Sequence, residues 1–300
     1  MPSFRSARQQ AQHCVAQAAA IGDAKPASGT ALVHSLGTQR TYGVSLRLLA
    51  RWLRENRLGT DLRDVRSDVA AQWLYERSEQ VGQKCLDNDR QAVSKAFGFD
   101  FPRIRSNYEA QRDLADESRA YTAEQIDLIV ALQSPRNAFS TRLAQAAGLR
   151  AQELHTLRRA SERAATDARN WMPERFTGMS GCRYTVDGKG GLVREVMLPH
   201  VLAEEFETRR RERPITVRDR EINYLSYYDV AGGNAWSKSF TVASEKAVGY
   251  STGAHGLRHG YAQARLAALQ QAGLTYEAAL GIVSQELGHF RTDVTEVYLR

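Results

Sequence analysis

The sequence has few cysteines and no long apolar segment. Its three cysteines, Cys14, Cys85 and Cys182, are too far apart for a zinc-binding motif, and their odd number does not suit a set of disulfides. No apolar run reaches the roughly 18 residues that a membrane-spanning helix needs. The N-terminus also lacks the apolar core of a signal peptide. We therefore expect a protein of the reducing cytoplasm that is not inserted in a membrane.

Two common devices for phosphate chemistry are also absent from the sequence. It has no glycine-rich loop of the Walker type and no acidic cluster with the character of a magnesium site. What it has instead is basic residues: 41 Lys and Arg stand against 34 Asp and Glu, giving a net charge of +7. This balance favours a polyanionic partner, although charge alone does not choose among DNA, RNA and a membrane surface.

Four helices are predicted in the first hundred residues: one within residues 1 to about 30, followed by 41–56, 67–77 and 83–97. In the second of these, Tyr42, Leu46, Leu49 and Leu53 form one apolar stripe. Ser67 is placed to cap the third helix. The outer faces carry arginines, which on the second helix are Arg40, Arg47, Arg51, Arg54 and Arg57. This part is either a helical bundle with a solvated basic surface or a DNA-clasping module.

The stretch from Phe99 to Glu117 has no clear period and is interpreted as linker sequence, in which Arg103 and Arg105 are free to follow a phosphate backbone. We set the domain bounds at residues 1–108 for a helical domain, 109–120 for the linker and 121–300 for a second domain. Thr122 and Gln125 form a capping-box pattern at the start of that second domain.

The second domain is predicted to be mainly helical with one hairpin. Helices are expected at 138–147, from Arg150 onward, from about 199 to Arg213, and in two final segments. Pro214 would end the third of these. The two final helices carry apolar stripes, which are Leu257, Tyr261, Ala264 and Ala268, then Tyr276, Leu280, Val283 and Leu287. Alternation on both sides of a glycine-rich turn predicts an antiparallel pair over 182–198. No structure is assigned to residues 160–181 or 214–253.

A group of residues suited to phosphate chemistry is spread over this second domain. Arg150 and Arg258 each follow a Gly-Leu pair at a predicted helix start, where free backbone N–H groups already favour anions. His255 lies three residues before Arg258, and Lys189 lies between glycines at the tip of the hairpin. His289 and Tyr298 close the chain, so the pattern indicates a phosphate-handling site with a nucleophile at its end.

These motifs together resemble the tyrosine recombinase (phage integrase) family, whose catalytic fold is similar to that of type IB topoisomerases. The matching segments, in the order that the family has them, are Gly-Leu-Arg150-Ala-Gln-Glu153-Leu, Gly188-Lys189-Gly-Gly-Leu-Val-Arg, His255-Gly-Leu-Arg258-His259, Leu-Gly-His289 and Thr295-Glu-Val-Tyr298. The resemblance covers about residues 120–300. It implies a mainly α fold with a small antiparallel sheet, in which a helical, SAM-like core-binding domain precedes the catalytic domain.

The resemblance also implies a role for each matching residue. Tyr298 would attack the scissile phosphate to form a 3′-phosphotyrosyl intermediate, while Arg150 and Arg258 would stabilise the pentacoordinate phosphorus. Lys189 would be the general acid. His255 would take or hold the tyrosine proton, and His289 would hydrogen-bond a non-bridging oxygen. Neither ATP, metal nor other cofactor would be needed. Glu153 is expected to orient Arg150, and His259 is either a packed structural histidine or a catalytic one.

The implied activity is site-specific strand exchange, such as integration or excision of a mobile element. The implied partner is double-stranded DNA, bound by a homotetramer on two sites in the nucleoid of a bacterial cell, with an accessory directionality factor as a further partner and no membrane. Two alternatives stay open, namely a non-catalytic DNA-binding accessory protein and a type IB topoisomerase-like relaxase. Family members usually continue past the tyrosine, whereas this sequence stops at Arg300, so we expect a cut chain or a different assembly.

Overall fold

The computed structural model describes residues 6–21, 32–108, 118–220 and 222–299. The chain divides into two compact units, residues 1–115 and 116–300, and each is described by itself. Most of the predicted linker, residues 109–117, lies outside the described residues, so the domain bounds stay a prediction. Across these described ranges, no helix is both long and apolar enough to cross a membrane.

The first unit is helical. Its α-helices, within the residues described, are α1 (Ala7–Gln17), α2 (Leu36–Glu55), α3 (Ser67–Ser78) and α4 (Gln83–Phe97). The predicted apolar stripe of α2 is confirmed, because its four residues are all buried in the core of this unit. The arginines of α2 lie on the other faces, and Arg40 and Arg51 are exposed.

Two predictions for the first unit are wrong. Ser67 does not cap α3: it is the first helical residue, and the capping position is held by Arg66 without a side-chain hydrogen bond. The stretch that begins at Phe99 is not all linker, because Phe101 and Ile104 are buried in the core. Arg90 Nη1 also donates to the carbonyl of Phe101 at 3.0 Å. Apolar contacts therefore hold these residues even though they form no regular element.

The second unit contains helices and short antiparallel strands. Its α-helices, as far as the structure describes it, are α5 (Ala123–Ala131), α6 (Pro135–Ala147), α7 (His200–Thr208), α8 (Gly233–Val248), α9 (Gly256–Gln271), α10 (Tyr276–Glu286) and α11 (Thr292–Glu296). Its strands are β1 (Arg158–Arg159), β2 (Cys182–Asp187), β3 (Val193–Leu198), β4 (Arg210–Asp219) and β5 (Ile222–Tyr228). The strands form a three-stranded sheet in the order β1-β2-β3 and a separate β4–β5 pair. The predicted mainly α fold with a small antiparallel sheet is thus confirmed.

Two local predictions for this unit are confirmed in detail. Thr122 and Gln125 make the reciprocal hydrogen bonds of a capping box at the start of α5. The hairpin pairs Cys182 with Leu198 and Asp187 with Val193, leaving the glycine-rich segment as its turn. The register of the two strands therefore places residues 188–192 in the turn.

The region after the hairpin differs from the prediction. The helix α7 ends at Thr208 rather than near Arg213, and Pro214 lies inside β4 instead of ending a helix. The pairing of β4 with β5 shifts register between Arg210 and Ile215. Since proline has no N–H to give to a ladder, a break in pairing is where a strand tolerates it. The unassigned stretch 214–253 holds most of this second hairpin and α8.

The packing of α9 also departs from its predicted stripe. Leu257 and Tyr261 are buried, but Ala264 and Ala268 are exposed. The buried face includes Arg258 and Arg265 instead. A search for apolar periodicity misses such a face, because its polar members count as surface residues.

Residues 160–181, which had no predicted structure, form turns that are fixed to α10. The backbone N–H of Met172 donates to Gln285 Oε1 at 2.6 Å, and that of Phe176 donates to Glu286 Oε1 at 2.9 Å. Glu286 is itself buried and accepts from Arg265. These contacts hold the end of α10, and the residues that follow it, against the rest of the unit.

Candidate active site

Tyr298 lies just after α11, and its hydroxyl is within hydrogen-bond distance of a histidine. The tyrosine is only 9% exposed, and its Oη lies 3.0 Å from Nε2 of His255, the residue that precedes α9. The segment is fixed by backbone hydrogen bonds, because the N–H of Tyr298 donates to the carbonyl of Thr295 at 2.8 Å. The phenol is therefore held beside a group that can accept its proton.

Aromatic rings and one guanidinium surround the phenol ring of Tyr298. The ring centroids of His255, His259 and His289 lie 5.3, 4.6 and 5.4 Å from that of the tyrosine. Arg258 Cζ lies 5.7 Å from the same centroid. His259 is buried against the tyrosine, a position that leaves both the structural and the catalytic role of this histidine open.

Arg258 lies in the first turn of α9 and is fully buried. Its Nη1 donates to the carbonyl of Gly148 and its Nη2 to that of Leu287. Burial, and then the neighbouring charge of Arg150, lower the pKa of this guanidinium to about 9. The arginine is thus aimed by two backbone carbonyls rather than by a carboxylate alone.

Arg150 does not begin a helix, contrary to the prediction. Helix α6 ends at Gly148, and residues 153–156 form only a short 3-10 segment. The carboxylate of Glu153 accepts from the backbone N–H of Arg150 at 2.9 Å and from Arg150 Nη1 at 2.7 Å. The expected orienting role of Glu153 therefore has a geometric basis.

Glu153 is the centre of a buried charge cluster that the sequence interpretation did not foresee. Its other neighbour is Arg194 of β3, which is fully buried and donates to Glu153 Oε2 at 2.7 Å. Burial alone would raise the pKa of Glu153, but Arg194, Arg258 and Arg150 outweigh it and bring that pKa to about 2. Arg194 also donates to the carbonyl of Glu286 at 2.6 Å. The signal for it was an arginine at an inward position of the predicted strand.

His289 lies where the two arginines meet. Its Nε2 is 3.2 Å from Arg150 Nη2 and 3.4 Å from Arg258 Nη2, and its Nδ1 is 2.9 Å from Thr295 Oγ1. Burial, followed by the charges of Arg258 and Arg150, lowers the pKa of His289 to about 3. Thr295 belongs to the motif that ends at Tyr298, but the sequence gives no sign of its contact with His289.

The other two histidines are also held in the neutral form. Burial comes first and Arg119 second in lowering the pKa of His259 to about 4. His255 remains accessible to solvent. Desolvation of its ring, then Arg258 and His259, lower its pKa to about 4 as well. At neutral pH the ring of His255 is therefore uncharged and can accept a proton.

The backbone of Lys189 lies in the turn of the β2–β3 hairpin, within a 3-10 segment at Lys189–Gly191. Its side chain lies outside what the structure describes. The turn is closed by the N–H of Gly188, which donates to the carbonyl of Leu192 at 2.7 Å. A Cβ placed on Gly188 would lie 3.9 Å from Arg150 Nη1, so this turn abuts the arginine.

Of the six predicted site residues, the structure brings together the side chains of five, which are Arg150, His255, Arg258, His289 and Tyr298. Within the described part of the chain, no three His, Cys, Asp or Glu side chains are grouped as the ligands of a metal would be.

Comparison with known proteins gives matches by structure only. Neither a protein-family model nor a curated protein matches the sequence. The XerH site-specific recombinase bound to its difH substrate before cleavage is similar over 100% of this chain and 94% of that one, with a TM-score of 0.56 and 16% identity. A lambda integrase dimer bound to a COC′ core site covers 89% of both chains, with a TM-score of 0.52 and 17% identity.

A third solved structure is the lambda integrase tetramer bound to a Holliday junction. It matches 98% of this chain and 76% of its own, with a TM-score of 0.54 and 14% identity. At such identities the likeness concerns the fold. The chain has the fold of the tyrosine recombinases and integrases.

Proposed function

We propose that this protein is a site-specific DNA recombinase that cuts and rejoins DNA through a 3′-phosphotyrosyl intermediate, in the integration or excision of a mobile element. The observation that carries the proposal is the juxtaposition of Tyr298 Oη with His255 Nε2, 3.0 Å apart, beside two converging arginines. A hydroxyl nucleophile, a neutral base and cationic donors are the groups that metal-independent attack on a phosphodiester requires. The shared fold supports it.

In the first step Tyr298 Oη attacks phosphorus. His255 Nε2 takes the phenolic proton. The low pKa of His255 makes it a weak base before the attack. Its position beside the hydroxyl lets it take the proton during the attack, as charge develops in the transition state. The bond from phosphorus to the 5′ oxygen breaks, and Lys189 gives that oxygen a proton. The products are a phosphotyrosyl link to the 3′ end and a free 5′-hydroxyl.

The two arginines supply the charge for this step. Arg150 Nη2 and Arg258 Nη2 both point at one atom, His289 Nε2, at 3.2 and 3.4 Å. A phosphate oxygen bound beside His289, where the two Nη2 groups converge, would accept a hydrogen bond from each arginine. His289 Nε2 would then take a proton from solvent and donate it in a hydrogen bond to a non-bridging oxygen.

Rejoining reverses the first step. The 5′-hydroxyl of the partner strand gives its proton to Lys189 and attacks the phosphotyrosyl phosphorus, and the tyrosine leaves with a proton returned by His255. One phosphoester is exchanged for another at each stage, so the bond energy is kept and no nucleotide hydrolysis is needed.

The proposed partner is double-stranded DNA, in the nucleoid of a bacterial cell. The net charge of +7 and the exposed arginines of α2 support a phosphate-binding surface. Because strand exchange needs two DNA sites, we propose a homotetramer built from two dimers, with an accessory protein setting its direction. The lambda integrase tetramer on a Holliday junction is a precedent in the same fold.

A covalent trapping assay tests the proposal. Duplexes made from the DNA that flanks the gene, nicked beside the cleavage site, should accumulate a protein–DNA adduct that survives denaturing electrophoresis. Tyr298→Phe should abolish the adduct, while Tyr276→Phe, at an exposed tyrosine of α10, should leave it unchanged. An adduct formed by Tyr298→Phe would exclude this nucleophile, and DNA binding without any adduct would support an accessory protein.

A further inference from the structure

His289 has acceptors and donors fixed on both sides of its ring. Guanidinium groups have donors and no acceptor. Since Arg150 Nη2 and Arg258 Nη2 both face Nε2 of His289, that nitrogen must present its lone pair to them. The neutral ring then carries its proton on Nδ1. The surroundings favour the neutral ring, because the nearest charged groups are the two arginines, with Arg194 and the compensating Glu153 beyond them.

The Nδ1–H of His289 points at a buried hydroxyl pair. Thr295 Oγ1 lies 2.9 Å from Nδ1 and also accepts from Ser284 Oγ at 2.8 Å. Thr295 is fully buried and Ser284 is 2% exposed, so neither hydroxyl is replaced readily by water. The partner of one ring nitrogen decides which nitrogen of a histidine carries the proton. By accepting a hydrogen bond from Nδ1–H, Thr295 therefore stabilises the same tautomer of His289 that the two arginines favour.

The same threonine also holds the segment that carries the proposed nucleophile. Thr295 lies in α11, and its carbonyl accepts from the N–H of Tyr298 at 2.8 Å. Its hydroxyl and its carbonyl thus serve two different functional groups. A hydroxyl is suited to this place, because it accepts from Nδ1–H whether the ring is neutral or, after Nε2 takes a proton from solvent on phosphate binding, cationic.

We propose that Thr295 is a positioning residue that fixes the tautomer of His289 and ties it to the segment bearing Tyr298. The proposal rests on the proposed function for its effect on cleavage, although the tautomer itself does not depend on it. Docking of α11 then sets the nucleophile and the phosphate-binding histidine at the same time.

Matched substitutions at Thr295 separate the hydroxyl from the packing. Thr295→Val keeps the shape and removes the hydroxyl, whereas Thr295→Ser keeps the hydroxyl and removes a methyl group. Thr292→Val makes the same chemical change at an exposed position of α11 and is the control.

The first readout is the imidazole N–H signal of His289 in proton–nitrogen NMR of the free protein, assigned by its loss in His289→Gln. The wild type, Thr295→Ser and Thr292→Val should show a proton on Nδ1 that exchanges slowly with solvent. Thr295→Val should lose this slowly exchanging signal. Its persistence in Thr295→Val, or a wild-type proton on Nε2, would overturn the proposal.

The second readout is single-turnover formation of the covalent adduct. Losing a partner that orients a functional histidine typically costs about 10- to 100-fold in activity. Thr295→Val should slow cleavage by that factor with unchanged DNA affinity, and Thr295→Ser should stay within about threefold of the wild type. Equal slowing in Ser and Val variants would show a packing role and contradict the proposal. If the wild type forms no adduct, the proposed function fails, and the NMR readout still decides the tautomer.

Discussion

A single carboxylate, Glu153, balances three guanidinium groups in the candidate site. It contacts Arg150 and Arg194 directly at 2.7 Å, and Arg258 lies 4.0 Å from it. Charges that are this deeply buried are tolerated only when they are paired. Glu153 is thus the counter-charge that lets Arg150 and Arg258 lie in the interior of this unit.

Glu153→Gln should destabilise the protein severely. The amide keeps the shape of the side chain but leaves Arg194 and Arg258 without a buried anion, and breaking such a pair costs about 3–5 kcal/mol. Urea denaturation of the second unit's transition measures the loss. Glu205→Gln breaks a half-exposed pair with Arg209 on α7 and should cost only about 0.3–0.5 kcal/mol. Equal costs for the two variants would contradict the central place of Glu153.

The sequence identifies residues whose chemistry is distinctive and misses those that act by burial. Arg150, His255, Arg258, His289 and Tyr298 stand in ordered motifs, and the structure brings them together. Arg194 ends the Gly188-Lys189 motif, but its role as a buried partner of Glu153 depends on its inward position on β3. The hydroxyl of Thr295 has no sequence signal for its contact with His289, because that contact depends on how α10 and α11 pack.

The end of helix α6 is fixed by a glycine that no other residue replaces easily. Gly148 has a φ of +56°, a conformation that side chains with a Cβ adopt rarely. A Cβ there would also lie 2.7 Å from Tyr261 Cδ1 and 3.0 Å from Leu287 Cδ2. Its carbonyl accepts from Arg258 and Arg194, so a shift of this turn would move both arginines.

Gly148→Ala should therefore lower both stability and adduct formation. The positive φ alone costs about 1–2 kcal/mol for a residue with a Cβ, and the clash with Tyr261 adds to it. Gly249→Ala is the matched control, because Gly249 ends α8 with a φ of +83° and has nothing within 4 Å of its added Cβ. It should lose a similar backbone contribution but keep its cleavage rate. If Gly148→Ala cleaved DNA at the wild-type rate, the conformation of this turn would not matter for the positions of the two arginines.

Elements with a clear period are predictable here, and elements with mixed polarity are not. The stripe of α2 and the hairpin at 182–198 follow from spacing alone. The β4–β5 hairpin was missed because Arg210, Arg211 and Arg213 give its first strand no apolar alternation, and Pro214 suggests a helix end. In place of the helix expected at Arg150 the chain forms turns and a short 3-10 segment at Glu153–Thr156, and nothing in the apolar spacing distinguishes the two.

On the scale of the whole molecule, burying neutral histidines makes stability depend on pH. The pKa is lowered to about 4 for His259 and about 3 for His289, against roughly 6.5 in an unfolded chain. The unfolded state then binds more protons between these values, so stability is complete above about pH 6.5 and is lost as the pH falls toward 4. His255 contributes less, because solvent reaches it.

The melting temperature should accordingly fall between pH 6.5 and pH 4, before most carboxylates are protonated. Circular dichroism melts at half-unit pH steps measure this. His259→Phe keeps an aromatic ring against Tyr298 and removes one titrating group, so its melting temperature should fall less steeply over the same range. Identical slopes for both proteins would show that this histidine does not titrate on unfolding.

The hydrogen bond between His255 and Tyr298 joins two residues of one polypeptide. In the proposed assembly, a centre that each chain completes by itself cannot be repaired by a neighbouring copy. Mixed assemblies of Tyr298→Phe and Arg150→Ala subunits should therefore be inactive, as each is alone, because neither kind of subunit holds a full set of groups. Restored adduct formation in the mixture would mean that one copy supplies its tyrosine to the active site of another copy. On the proposed function, each copy would therefore cut DNA with its own tyrosine.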